Sequence, residues 1–160
     1  MIYVDTRTHK MSQHDLAIAS DSKALTINSD SAKAHFNLGV TYYGQGKRDA
    51  AIAEWQKAIE INPNYAEAHT NLGLAYYGQG DNKQAIAFCQ RAMAIDPNLA
   101  LAHNNLACAY ALKNEKTLSI KSLRKAIALN KSTIEDAKTD SDFENIRSSP
   151  EFQQLINSVE

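Results

Sequence analysis

The chain has no apolar run approaching the roughly 18 residues that a helical membrane span needs, so no membrane partner is expected. Cysteine is scarce. Cys89 and Cys108 lie in different stretches without the short spacing of a metal-binding pair, and two free, partly buried thiols are expected, with a disulfide as the alternative. The opening MIYVDTRTHKMSQ lacks the apolar core and small-residue cleavage site of a secretory leader, which makes cytoplasmic residence the expectation. Neither charge sign is in excess, with 17 Lys/Arg against 18 Asp/Glu, so nothing pulls the whole chain towards nucleic acid or an anionic surface. A nucleophile elbow, HExxH pair and EF-hand loop are all missing. The glycines of the YGQG strings follow no strand and precede no Lys-Ser/Thr, so they are not a phosphate cradle. With no convergent acid, base and nucleophile set, the chain reads as no enzyme, with no cofactor and no metal.

Proline is also rare, yet two of the three prolines, Pro63 and Pro97, stand 34 residues apart. They mark a period. AKAHFNLGVTYYGQGKRDAAIAEWQKAIEINPNY runs from Ala32 to Tyr65, and AEAHTNLGLAYYGQGDNKQAIAFCQRAMAIDPNL from Ala66 to Leu99. A looser copy, ALAHNNLACAYALKNEKTLSIKSLRKAIALNKST, fills Ala100 to Thr133. A fixed period of this length means a stacked array, because one unit cannot bury its apolar face alone.

Within each unit the apolar residues recur at helical spacing. Leu38 and Tyr42, with small Gly39, mark the face of a first helix; Ala51, Ile52, Trp55, Ala58, Ile59 and Ile61 mark that of a second. Gly44-Gln45-Gly46 between them suits a helix end and chain reversal. Asn62-Pro63-Asn64 stops the second helix. Residues Asp15–Ser31 align 34 places before Asp49–Tyr65 and read as a lone second helix, part of a degenerate or half repeat over 1–31. Ile2-Tyr3-Val4 occupies the place of a missing first helix. Such a helix leaves Leu16, Ile18, Leu25 and Ile27 partly uncovered, to be covered by residues 1–12 or by a second chain.

Residues 134–160 read as a helical cap. Ile134–Ala137 begins a covering helix, Ser141-Asp142-Phe143-Glu144 suits a capping box, and Ser149-Pro150 suits a helix start. Phe143, Ile146, Phe152, Leu155 and Ile156 are the expected inward residues. This segment carries 2 basic against 7 acidic residues, while 1–133 carries 15 against 11. Attraction to Lys113, Lys116, Lys121, Arg124, Lys125 and Lys131 is expected to help seat it weakly.

The units resemble the tetratricopeptide repeat. The first unit supplies His35, Leu38, Gly39, Tyr42, Ala51, Trp55, Ala58 and Pro63 at the family's signature places. The second departs at His69 and Cys89. The third keeps Leu106, Tyr110 and Ala126, but has Ala107, Ser119, Leu123 and Lys131. The resemblance implies an all-α, right-handed superhelix (an α-solenoid) of three helix pairs, over 32–65, 66–99 and 100–133. It also implies a non-catalytic interaction module whose first helices line a concave groove.

Three histidines share one phase, His35, His69 and His103. Stacked helices lie about 8–10 Å apart, too far for neighbouring rungs to share one zinc at about 2.1 Å, and no carboxylate is phased with them; they read as packing residues. Asn37, Asn71 and Asn105 form a second ladder. In glycosyltransferase members of the resembled family, asparagines at this place hold the backbone of an extended peptide. An amide can serve any peptide unit because it both donates and accepts. Rungs about 10 Å apart match three extended residues of about 3.3 Å each. Phe36, Val40, Tyr43, Thr70, Leu74, Tyr77, Asn104, Cys108 and Ala111 complete the candidate groove. Tyr43 and Tyr77 either offer contact area to a ligand or pack between first helices. The cationic clamp of repeats that hold acidic chaperone tails is missing, since Phe36, Val40, Thr70, Leu74, Asn104 and Cys108 stand at its places. The expected partner is a protein or peptide, with a homo-oligomer or an enzyme's accessory subunit as alternatives.

Overall fold

The computed structural model describes residues 12–158; the reading of Ile2-Tyr3-Val4 falls outside them. Among the described residues there are ten α-helices, one 3-10 turn and no strand, and no helix is long and apolar enough to cross a membrane. They form two compact units, Met1–Ile61 and Asn62–Glu160.

The first unit holds α1 (Gln13–Ile27), α2 (Ala32–Gly44) and α3 (Arg48–Ile61). Ser12 and Asp15 start α1 with a reciprocal capping box, Asp15 N–H donating to Ser12 Oγ at 3.2 Å and Ser12 N–H to Asp15 Oδ2 at 3.1 Å. Helix α1 packs on α2 but buries none of its residues. Leu16 stays 56% and Ile27 80% exposed, the uncovered state expected of a lone second helix. Helices α2 and α3 meet closely at Gly39. A Cβ there would lie 2.4 Å from Trp55 Nε1, so only glycine admits the indole, whose N–H donates to the Phe36 carbonyl at 3.1 Å.

The second unit holds the pairs α4 (Ala66–Gly78) with α5 (Asn82–Ile95) and α6 (Ala100–Leu112) with α7 (Lys116–Leu129), and α5 also packs on α6. Gly73 repeats the close approach, a Cβ there falling 2.7 Å from Cys89 Sγ. In the third repeat Ala107 and Ser119 are both fully buried, and the Ser119 hydroxyl is satisfied by donating to the Ala107 carbonyl at 2.8 Å. The turn inside each repeat needs a left-handed residue. Gly46 and Gly80 take it with φ of 75° and 81°, while the third repeat uses Asn114 at 59°.

The cap is α8 (Thr133–Thr139), a 3-10 turn (Ser141–Phe143), α9 (Glu144–Arg147) and α10 (Pro150–Asn157). Phe143, Ile146, Phe152, Leu155 and Ile156 are all buried and join Ile120, Leu123 and Ile127 of α7 in one core. Ser149 Oγ accepts from the Phe152 N–H at 3.3 Å, with Pro150 opening α10. The capping box expected at Ser141 is not what forms. The segment opens as a tight 3-10 turn, so the cap is one residue earlier, with Asp140 Oδ1 accepting from the Asp142 N–H at 2.9 Å. Between α7 and α10 one ion pair occurs among the described residues, Lys116 with Glu151 at 3.3 Å. Both partners are largely exposed, so solvent screening leaves it a minor contribution. Apolar burial seats the cap.

Candidate functional site

The candidate groove residues sit on first helices, and each unit treats them differently. On α2, Phe36 and Asn37 are half-buried and Val40 is exposed. Tyr43 is half-buried with its ring centroid 5.6 Å from that of Trp55, and the Arg48 guanidinium lies 5.9 Å from the Tyr43 ring. The first tyrosine therefore packs within its own repeat.

In the second unit, Asn71 and Leu74 of α4 and Asn104 of α6 are half-buried. Thr70 is buried and back-bonds along α4, its hydroxyl donating to the Ala66 carbonyl at 3.0 Å. Asn105 and Cys108 are buried as well, and the 3-10 turn of the cap lies against α6. The thiol points at Asp140, Sγ to Oδ2 being 3.9 Å, and Asn105 Nδ2 has no hydrogen-bond partner. Tyr77 packs against the cap core. Its phenol is raised above the ordinary range by burial first, then by its hydrogen bond to Asp142. Thr70, Asn105 and Cys108 thus present no open surface in this conformation.

That covering brings together residues 32 apart, which spacing alone did not link. Ligand atoms of Cys108, Asp140 and Asp142 lie within 4.8 Å of one another. Burial, then the two aspartates, pushes the Cys108 thiol up, so in the absence of a metal the cluster holds a protonated thiol at neutral pH.

The histidines have a structural task that their phase did not disclose. His69 Nε2 lies 2.9 Å from the Pro63 carbonyl and His103 Nε2 2.9 Å from that of Pro97. Each ties the first helix of a repeat to the turn before it. His35 does the same to Ser29 O at 3.3 Å, and its Nδ1 meets Glu54 Oε2 at 2.6 Å. A carboxylate is therefore phased with this one histidine, from the neighbouring helix rather than its own.

Family profiles described as a TPR repeat match residues 8–46 and 42–80, and tetratricopeptide repeat profiles match 66–99 and 100–133. The chain belongs to the tetratricopeptide repeat family. Two crystal structures of MamA are similar to this repeat protein, with TM-scores of 0.67 and 0.65, each 29% identical in sequence. The similarity covers 76% of this chain in both cases, and 71% and 67% of the respective MamA chains. No sequence match was found among curated proteins. As a tetratricopeptide array the chain is a protein-interaction scaffold.

Proposed function

We propose that the chain receives extended segments of a partner protein on its first helices, with Asn37 as the backbone contact of the first unit and Asn71 as that of the second. The observation that carries this reading is a repeated pairing. Each asparagine has an apolar residue three places on, Val40 after Asn37 and Leu74 after Asn71, and all four side chains are at least partly open. An amide beside an apolar patch suits a peptide: one group pairs with the main chain, the other covers a side chain. Affinity for so short a contact is in the micromolar range, since little area is buried. The test is fluorescence anisotropy against an array of unstructured nonapeptides. Asn37→Ala should weaken the best binder of the first unit, and Asn71→Ala that of the second, each about tenfold, the loss of about 1.4 kcal/mol expected of one or two hydrogen bonds. Asn105→Ala should leave it unchanged. Binding indifferent to Asn37 and Asn71 would sink the reading.

One observation favours a second reading, self-association through α1. That helix has no buried residue, and Leu16 and Ile27 stand in solvent. Light scattering over a hundredfold concentration range decides it, because a constant 17.7 kDa excludes a homo-oligomer.

A further inference from the structure

The three repeats place different residues at one corresponding position of their second helices: Glu54, Phe88 and Ser122. In the first repeat the Glu54 carboxylate reaches His35 Nδ1 at 2.6 Å. In the second, Phe88 fills the space between His69 and Tyr76. It stacks on the Tyr76 ring at 5.4 Å between centroids with planes 2° apart, and lies 6.0 Å from the His69 ring. In the third, His103 and Tyr110 are retained but the side chain between them is cut down to the hydroxymethyl of Ser122. A cavity of about 360 Å³ opens there, lined by Met93, His103, Leu106, Tyr110, Leu118, Lys121, Ser122 and Lys125.

The second repeat shows what such a space accepts, a flat aromatic ring laid on the tyrosine. Size agrees, because a protein cavity of about 150 Å³ already holds benzene. The rim adds charge selection. Lys121 and Lys125, one turn apart, both line the space, and no carboxylate does; the corresponding residues of the second repeat are Ala87 and Arg91. Tyr110 is held in place by its hydroxyl, which accepts from Gln90 Nε2 at 3.2 Å, and His103 by the Pro97 carbonyl. The walls are thus fixed and the ring between them is missing.

We propose that this slot on α5, α6 and α7 takes an aromatic side chain of a partner polypeptide whose neighbouring residues are acidic. The proposal rests on the chain's being an interaction module, but it uses none of the asparagine contacts above. Ring stacking on Tyr110 and burial against Met93, Leu106 and Leu118 supply the attraction. The two lysines select acidic flanks and speed encounter in a salt-dependent way.

The probe is the peptide acetyl-Asp-Phe-Glu-Glu-amide, titrated into the full chain and followed by amide nuclear magnetic resonance shifts. Shifts confined to the residues that line the slot and their chain neighbours are expected, and replacing the peptide's phenylalanine by alanine should abolish them. Ser122→Phe, which rebuilds the arrangement of the second repeat, should raise Tm by about 4 °C and weaken binding at least tenfold. Lys121→Glu with Lys125→Glu changes exposed positions only and should weaken binding at least fivefold at low salt, so the proposal stays testable if Ser122→Phe misfolds. Asn71→Ala should change nothing, which separates this slot from the first-helix contacts. Equal binding of the alanine peptide, unchanged binding in Ser122→Phe, or no shifts at millimolar peptide would overturn the proposal.

Discussion

At the scale of single residues, the third repeat departs from the other two in ways that carry measurable cost. Asn114 holds the left-handed conformation that Gly46 and Gly80 adopt without a Cβ. Asparagine is among the few other residues that visit this region, so its presence marks a tolerated rather than an ideal turn. Asn114→Gly should therefore stabilise the chain by about 0.5–1 kcal/mol, and Asn114→Ala should destabilise it by about 1 kcal/mol. Urea unfolding midpoints at constant slope would measure both.

The thiols give a second residue-scale expectation. Burial pushes Cys89 up to about 12, whereas an unfolded thiol ionises near about 8.5. Below that value both states keep the proton and Cys89 contributes its full stability. As pH rises through the window from about 9 to about 12, the unfolded chain ionises first, so stability falls. At pH 8 both native thiols should react with dithionitrobenzoate at least a hundredfold more slowly than in guanidinium. Fast native reaction of either cysteine would contradict the burial described here.

At the scale of elements, the ends of the array behave unequally. The cap buries two phenylalanines whose ring centroids are 5.8 Å apart, and Phe143 is wholly inaccessible. Phe143→Ala should cost about 3–5 kcal/mol and, by loosening the turn on α6, expose Cys108 to the thiol reagent. Loss of stability without a gain in Cys108 reactivity would show that the turn does not depend on this ring. The helix pairs were legible in the sequence, because the period marks all three and the glycine and proline punctuation marks the ends of the first two. The inward face of the cap was legible too, from the phase of Phe143, Ile146, Phe152, Leu155 and Ile156. What the chain order hid is the return of Asp140 and Asp142 onto Cys108. Those residues are far apart in sequence, and the direction of a 3-10 turn is set by what it packs on rather than by its own letters. Asn105 is also buried, although its place in the repeat is that of Asn37 and Asn71. The replacement of Phe88 by Ser122 was visible all along, but it acquires meaning only once Tyr76 and His69 are seen to hold the ring.

At the scale of the whole molecule, the contrast is between a first unit ending in an uncovered helix and a second sealed by apolar residues. In repeat arrays stability is close to a sum of local terms, so the first unit should open at lower free energy than the second. The chain has a single tryptophan, and it lies in that first unit, 1% exposed, with its indole N–H spoken for by the Phe36 carbonyl. The molecule therefore carries its own optical label for one unit only. Emission excited at the indole band should red-shift at a lower urea concentration than the loss of helical ellipticity, which averages over all the helices. Coincident curves would instead mean that both units melt as one. Any partner that settles on α2 or α3 would move the first curve alone, so that binding can be assigned to a unit from the colour of its light.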